Sequence, residues 1–208
     1  MSDERPVLLC DIGNVLLQVD RQGTWQSLGQ HLGASGTRVR ELLAEHPIHR
    51  ELELGLISPE EFLRRMLQEL HCPGALTLAQ LRDSMGQSFS GNTRLVECIN
   101  QFRQHVRIIL LSNTNAIDIP SIEEQFGLLH WADGAVLSYQ VHLRKPDPAI
   151  YRYTIEHYHL QPDRTVFIDD LPENVTAARQ AGLRAAVYES PGQVEHLLKD
   201  LLDKKLQD

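Results

Sequence analysis

The chain has 208 residues, of which 42% are hydrophobic and 23% charged, and its formal net charge at pH 7 is −8. This length allows one α/β core, or one core with an inserted unit. The acidic balance argues against broad binding of nucleic acids, and no apolar run reaches the roughly 18 residues that cross a membrane.

The first predicted element is a buried strand at 7–11, which ends in a single carboxylate, Asp11. The segment 18–90 then holds only helical patterns. These lie at 21–33, 37–46, 58–71 and 77–89. The sequences SPEE at 58–61 and TLAQ at 77–80 each place Ser or Thr three residues before Glu or Gln, which predicts two capping boxes. We therefore expect a four-helix unit at 18–90, inserted directly after the first strand.

Strand and helix patterns alternate after this insertion. The predicted strands are 107–113, 134–139, 165–170 and 184–189, and the helical patterns are 92–105, 147–160, 172–182 and 192–206. The runs RIILLSN and TVFIDD are apolar on both faces, which is typical of parallel strands covered by helices. The alternation predicts an α/β fold with a doubly wound parallel sheet, formed by 1–17 and 91–208.

Polar residues end three of these strands. Asp11 ends the first, Ser112 and Asn113 end the second, and Asp169 and Asp170 end the third. Ligands bind at the carboxyl ends of parallel strands, so these groups would converge if the strands are neighbours. Each has an ordinary alternative as a turn former or helix cap. However, two adjacent acids after an apolar strand repel each other and need a cation.

The order of four short motifs extends this interpretation. The chain reads DIGNVL, then LLSNT, then RKPDP, then FIDDLPEN. This order resembles the four motifs of the haloacid dehalogenase-like hydrolase superfamily, over essentially the whole chain, and the helical insertion lies where that family has its cap. Gly-Asn after the first aspartate, and ELELGLISPEEF in the cap, resemble the branch with α-D-glucose-1-phosphate phosphatases and the phosphatase domains of soluble epoxide hydrolases.

The resemblance implies a Rossmann-like core and a Mg²⁺-dependent phosphomonoester hydrolase for a small phosphorylated metabolite, such as a sugar phosphate. Asp11 would be the nucleophile that forms an aspartyl-phosphate. The implied metal ligands are Asp11, the Gly13 carbonyl, Asp170 and, directly or through water, Asp169. The implied phosphate-binding residues are Gly13, Asn14, Ser112, the Asn113 backbone N–H and Lys145. Asn174 would orient Lys145 or the loop of the second motif.

Gly13 departs from the commonest family pattern, in which a second aspartate protonates the leaving group. A phosphomutase relies on that acid, so its absence argues against one. A haloacid dehalogenase lacks the acid pair, so Asp169 and Asp170 argue against dehalogenation. A non-catalytic phospholigand-binding protein remains the main alternative, and Lys145 taken alone could be an ordinary surface lysine.

The cap and the cellular setting are predicted less specifically. Cap residues that could contact substrate are Trp25, His46, His49, Arg50 and Glu53, although Trp25 could be cap core and the others surface polar groups. The polar MSDERP segment does not resemble a signal peptide, and the three cysteines, Cys10, Cys72 and Cys98, lack metal-ligand spacing. We expect free thiols, a cytoplasmic location and a monomer or homodimer, with no nucleic-acid or membrane partner.

Overall fold

A five-stranded parallel sheet forms the centre of the protein. The structure, a computed structural model, describes residues 4–72 and 74–203. Its strands are β1 (Val7–Cys10), β2 (Leu17–Val19), β3 (Phe89–Gly91), β4 (Arg107–Ser112), β5 (Gly134–Leu137), β6 (Thr165–Asp169) and β7 (Arg184–Val187). The sheet order is β5-β4-β1-β6-β7, and every pairing in it is parallel. The predicted doubly wound parallel sheet is confirmed, with β1 at its centre.

Helices cover both faces of this sheet. The α-helices that the structure describes, of which α1 to α5 have a core of their own, are α1 (Gln22–Leu32), α2 (Gly36–Arg40), α3 (Pro47–Glu53), α4 (Pro59–Glu69), α5 (Leu78–Gly86), α6 (Thr93–Asn100), α7 (Asp118–Phe126), α8 (Leu128–Trp131), α9 (Ser138–Val141), α10 (Pro148–Tyr158), α11 (Pro172–Gln180) and α12 (Pro191–Asp203). The predicted C-terminal helix extended to 206, and its positions 204–206 lie outside the described residues. No helix in the described ranges is long and apolar enough to span a membrane.

The side chains of successive strand residues pack into two separate hydrophobic cores, one on each face of the sheet. Leu8 and Cys10 of β1 pack on the side that holds residues of α6, α7 and α12. Val7 and Leu9 pack on the opposite side, with residues of α10 and α11. Because side chains alternate along a strand, a strand that is apolar at every position fills both layers. This burial holds β1 rigidly, together with the carboxylate that follows it.

The inserted helices α1 to α5 have a core of their own, in which Leu42, Met66 and Leu81 are fully buried. The predicted helix at 37–46 is divided into α2 and a π-helical stretch at Glu41–Glu45, and α3 was not predicted. Pro47 explains why the helical stretch ends before it and why α3 begins there. It holds the preceding His46 in extended conformation, which ends one helix, and it starts the next at its first position, with the His46 side chain accepting a hydrogen bond from Ile48 N.

A short antiparallel ribbon carries the chain into and out of the inserted helices. Leu17 pairs with Gly91, and Val19 pairs with Phe89. The sequence predicted helix up to residue 89, but α5 ends at Gly86 and the chain then enters β3. The ribbon lies across the expected boundaries at 17/18 and 90/91. The division of the chain into core and cap at those positions therefore stays a prediction.

One predicted capping box is complete and the other is half-formed. Thr77 and Gln80 exchange both hydrogen bonds of the motif. At the start of α4, Glu61 N donates to Ser58 Oγ, but the Glu61 carboxylate pairs with Arg64 instead of turning back to the Ser58 backbone. An arginine one turn further along the helix competes successfully for that carboxylate.

The loop after α3 touches the core directly at Gly55. This glycine has φ +63°, and a Cβ atom built on it would lie nearer than 3.0 Å to the backbone carbonyl oxygen of Tyr139. Beside it, a ring nitrogen of His142 is 2.7 Å from the carbonyl oxygen of Leu54. The inserted helices therefore approach the core through backbone atoms, at a position where only glycine fits.

We predict that Gly55→Ala lowers the free energy of unfolding by about 3 kcal/mol or more, because it adds a backbone clash to the penalty for positive φ. Gly33→Ala is the matched control, since Gly33 has φ +66° but an added Cβ would meet nothing within 4 Å. The control should lose only about 1 kcal/mol. Urea unfolding measures both values, and equal losses would contradict the close approach.

Candidate active site

A buried lysine joins two of the predicted site residues. Lys145 Nζ lies 2.8 Å from Asp11 Oδ1 and 2.6 Å from Asp169 Oδ2. Asp11 follows β1 and Asp169 ends the neighbouring β6, so their carboxylates meet at the carboxyl edge of the sheet. Lys145 is only 1% exposed. It is therefore part of this charged cluster, and the alternative of a surface lysine is wrong.

Both oxygens of Asp169 are bonded to protein groups. Oδ2 contacts Lys145, while Oδ1 accepts hydrogen bonds from Leu171 N at 2.9 Å and from Asn174 Nδ2 at 2.8 Å. The Tyr151 hydroxyl in turn donates to the Asn174 carbonyl. The sequence predicted that Asn174 orients Lys145 or the loop after β4. It acts on Lys145 only through Asp169, because its amide bonds to that carboxylate.

Asp170 completes a group of three acids. Asp11, Asp169 and Asp170 each offer an oxygen, and these oxygens lie within 4.8 Å of one another. Asn14, which has φ +54°, donates from its side-chain amide to Asp170 Oδ2 at 3.1 Å. The turn after β1 is thereby tied to the residue after β6. Three carboxylates and one ammonium group share this edge of the sheet.

The Asn113 side chain has a role that the sequence did not reveal. Its Nδ2 donates to the Lys145 carbonyl at 2.9 Å, and its Oδ1 accepts from the Lys145 backbone N–H at 2.8 Å. Only the backbone N–H of Asn113 was expected to act in this site. The adjacent Ser112 is buried, and its hydroxyl makes only a long contact of 3.5 Å with the Asn113 carbonyl. Ser112 ends β4, which lies next to β1 in the sheet.

Two of the predicted cap residues have structural roles within the inserted helices, and the other three lie near residues of the core. The His46 side chain caps α3, and Trp25 packs against the core of the inserted helices, as its ordinary alternative predicted. Glu53 forms an ion pair with Arg144 of the core, with Oε2 3.1 Å from Nη2. Arg50 lines a cleft of about 200 Å³ that also includes Lys145. His49 is half-buried beside this region.

A family model for haloacid dehalogenase-like hydrolases matches residues 60–182. The chain belongs to this family. The chain is similar to the D-ribitol-5-phosphate phosphatase of Bacteroides thetaiotaomicron, with which it shares 30% identity over 84% of this chain and 87% of the relative. A sesquiterpene phosphatase of Aspergillus oryzae is 25% identical over 64% of this chain and 68% of its own.

The fold of this hydrolase also matches solved structures of its family. One is a Bacteroides thetaiotaomicron enzyme in complex with magnesium and inorganic phosphate, with TM-score 0.77, 24% identity and coverage of 89% of this chain and 94% of that one. The predicted family and core fold are thus confirmed. The two curated relatives are named as phosphatases, which agrees with the activity implied by the motifs.

The charge balance of the cluster fits a bound cation. Burial raises the pKa of Asp11 to about 6, with Lys145 opposing this shift and Asp169 adding to it. Burial also raises the pKa of Asp170. For Lys145, burial works against the charged form, but the carboxylates of Asp11 and Asp169 outweigh it and raise the pKa. The excess negative charge and the hard oxygen donors suit Mg²⁺.

The free cysteines lie outside this chemistry. Cys10, Cys72 and Cys98 form no disulfide, as predicted. Cys10 precedes Asp11, and its thiol donates to the Asp11 carbonyl at 3.2 Å. Burial raises the pKa of this thiol well above its usual value. Since the thiolate is the reactive form, Cys10 is a packing residue despite its place in the site.

We predict that the metal-free protein becomes less stable as pH rises from about 4 to about 6. In this window the folded state keeps a proton on Asp11, whose pKa is raised from 3.8 to about 6, while the unfolded state has released it. Urea unfolding after removal of divalent ions should show this slope. Asp11→Asn should make this slope shallower, with the remainder due to Asp170, whose pKa burial also raises, and Mg²⁺ should restore stability above pH 6. An unchanged slope in the variant would contradict this assignment.

Proposed function

We propose that this hydrolase is a Mg²⁺-dependent phosphomonoesterase that acts through an aspartyl-phosphate on Asp11. Its substrate would be a small phosphorylated metabolite such as a sugar phosphate. The observation that carries the proposal is the buried contact of Lys145 with Asp11 and Asp169, completed by Asp170 at the same edge of the sheet. The phosphatase names of the relatives, and the magnesium and phosphate in the Bacteroides thetaiotaomicron structure, support it.

The metal would be held by Asp11, Asp170 and the Gly13 backbone carbonyl. Asp169 is the less available acid, since both of its oxygens already accept hydrogen bonds from protein groups. When bound, Mg²⁺ supplies the positive charge that lets a carboxylate approach a phosphate dianion. Asp169 lies next to Asp170, and it would contact the metal through a bound water molecule.

The phosphate would be bound by groups from three loops. The Ser112 hydroxyl and the Asn113 backbone N–H would donate to phosphate oxygens after β4. The Lys145 ammonium group adds positive charge, and the Gly13-Asn14 turn closes the site after β1. Because the whole chain carries a net charge of −8, an anionic substrate needs such a local set of donors. This set of residues suits one phosphate group.

The chemical steps follow from the place of Asp11. A carboxylate oxygen of Asp11 attacks phosphorus, the bond from phosphorus to the substrate oxygen breaks, and the departing oxygen takes up a proton from water. Water then attacks phosphorus, the bond to Asp11 breaks and inorganic phosphate leaves. Lys145 fixes the Asp11 side chain and lowers its pKa against the effect of burial, which favours the ionised form that acts as a nucleophile. Gly13 has no side chain to supply the proton.

We expect Asp11→Asn to reduce phosphate release from p-nitrophenyl phosphate at least about 10³-fold, because an amide has nearly the same shape but is a poor nucleophile. Asp163→Asn is the control, since Asp163 is exposed and precedes β6 at the opposite edge of the sheet. It should keep full activity. Circular dichroism checks that both variants fold. A folded Asp11→Asn variant with more than a few per cent of activity would refute the proposal.

The absence of an acid at Gly13 predicts a preference for good leaving groups. Aryl phosphates and anomeric sugar phosphates should turn over faster than simple alkyl phosphates, whose departing oxygen needs a proton. Gly13→Asp should raise the rate on alkyl phosphates about 10-fold or more. The first atom of the new side chain fits, because an added Cβ lies 3.8 Å from the nearest atom, Cγ2 of Val19.

Gly192→Asp is the control for this experiment, since it adds a carboxylate at an exposed position in the first turn of α12, where a Cβ meets nothing within 4 Å. It should leave both rates unchanged. Equal wild-type rates on aryl and alkyl phosphates, together with no gain in a folded Gly13→Asp variant, would show that protonation of the leaving group does not limit the reaction.

A further inference from the structure

A buried hydroxyl group from the connection after β5 holds the loop that follows β4. Ser138 Oγ accepts a hydrogen bond from Thr114 N at 3.0 Å and donates one to the Thr114 carbonyl oxygen at 2.9 Å. Ser138 is 0% exposed, and Thr114 is buried as well. One side chain therefore satisfies both backbone groups of a loop residue. The motifs in the sequence assigned no role to Ser138.

The end of the sheet explains why a side chain is needed at this point. β4 and β5 pair in parallel as far as Ser112 and Leu137. Thr114 lies beyond the last pair, and in the described part of the chain its backbone bonds to no other backbone group. Buried backbone N–H and carbonyl groups need partners, and a hydroxyl group can both donate and accept. Ser138 Oγ thus replaces the strand partner that Thr114 lacks.

A second pair of hydrogen bonds ties the same two segments together. Asn113 Nδ2 donates to the Lys145 carbonyl oxygen, and Asn113 Oδ1 accepts from the Lys145 backbone N–H. Ser138 and Lys145 belong to one connection, which runs from β5 through α9 to α10. The loop after β4 is therefore fixed to this connection at two consecutive residues, Asn113 and Thr114. The Ser112 hydroxyl has only a long contact of its own, so its place depends on the backbone beside it.

We propose that Ser138 is a positioning residue of the phosphate site. By holding Thr114, its hydroxyl group sets where the Ser112 hydroxyl and the Asn113 backbone N–H lie relative to Lys145. The inference rests on the proposed phosphatase function, in which those groups bind the transferred phosphate. Ser138 does not touch the reacting atoms, because both of its side-chain hydrogen bonds are made with Thr114. A displacement of about 1 Å in such groups can lower a rate about 10²-fold.

The metal site does not share this dependence on Ser138. Its proposed ligands, Asp11, the Gly13 carbonyl and Asp170, follow β1 and β6. Ser138 follows β5, which lies at the edge of the sheet and pairs with β4. Loss of the Ser138 hydroxyl should therefore weaken phosphate binding and turnover and leave Mg²⁺ binding unchanged. A general loosening of the core would weaken all of them, which separates a positioning role from a structural one.

The test is Ser138→Ala, which leaves the buried N–H and carbonyl groups of Thr114 without a partner. For p-nitrophenyl phosphate, kcat/KM should fall about 10-fold or more. The inhibition constant of inorganic phosphate should rise about threefold or more, because the displaced donors bind phosphate less well. The Kd of Mg²⁺, measured by isothermal titration calorimetry without phosphate, should change less than about twofold.

Thr165→Val is the matched control, since it also removes a buried hydroxyl group. Thr165 is 0% exposed and donates to the Gln161 carbonyl oxygen at 2.8 Å, at the opposite edge of the sheet. The control should lower the free energy of unfolding but leave kcat/KM and both constants unchanged. Circular dichroism at the assay temperature checks that each variant is folded.

Two results would overturn the inference. One is a folded Ser138→Ala variant with the kcat/KM and inhibition constant of the control, and the other is an equal loss of Mg²⁺ affinity. If Ser138→Ala does not fold, Ser138→Cys is judged by the same criteria, since a thiol is only a weak donor and acceptor. A wild-type protein that releases no phosphate would refute the proposed function, and this inference with it. An active wild type with an unaffected Ser138 variant refutes the inference alone.

Discussion

The contact of one buried ammonium group with two carboxylates is the interaction on which the rest of this structure depends. Lys145 is almost inaccessible, so its charge is stable only while Asp11 and Asp169 remain beside it. Removing one partner of a buried ion pair typically costs about 3–5 kcal/mol. The surrounding bonds serve this contact: Asn113 holds the lysine backbone, and Asn174 holds Asp169. The site is therefore rigid before any ligand binds.

The same cluster explains how an acidic protein can act on an anion. Three carboxylates against one ammonium leave an excess of negative charge at the sheet edge. Burial makes that excess unfavourable, as the raised pKa of Asp11 shows. A divalent cation turns this unfavourable balance into a binding site for phosphate. The excess negative charge of the cluster thus supports the proposed function, which includes a bound cation.

Most of the catalytic core could be predicted from the sequence because its signals are local or ordered along the chain. The apolar runs predicted β1, β4 and β6, and the polar residues at their ends predicted where they converge. Contacts between distant segments left no such signal. The Asn113 side chain reaches Lys145 across 32 positions, and nothing in its own motif specifies that bond.

Short elements and competing hydrogen-bond partners account for the remaining differences between the predicted and the observed structure. β2 and β3 have three residues each, too few for a periodic pattern. The capping box at Ser58 was predicted from residue types alone, but Arg64 takes the glutamate that would complete it. The ion pair between Glu53 and Arg144 depends on how the inserted helices meet the core. Such an arrangement is a property of the tertiary structure and has no sequence motif.

The most direct test of the account is phosphate release from p-nitrophenyl phosphate by the metal-free protein during titration with MgCl₂. The account predicts no measurable release in EDTA and a saturable recovery as Mg²⁺ is added. Asp170→Asn should shift that recovery to higher Mg²⁺ concentration, since it removes one of the proposed ligands. A full rate in EDTA, unchanged by Mg²⁺, would contradict the claim that the carboxylate cluster works through a bound cation.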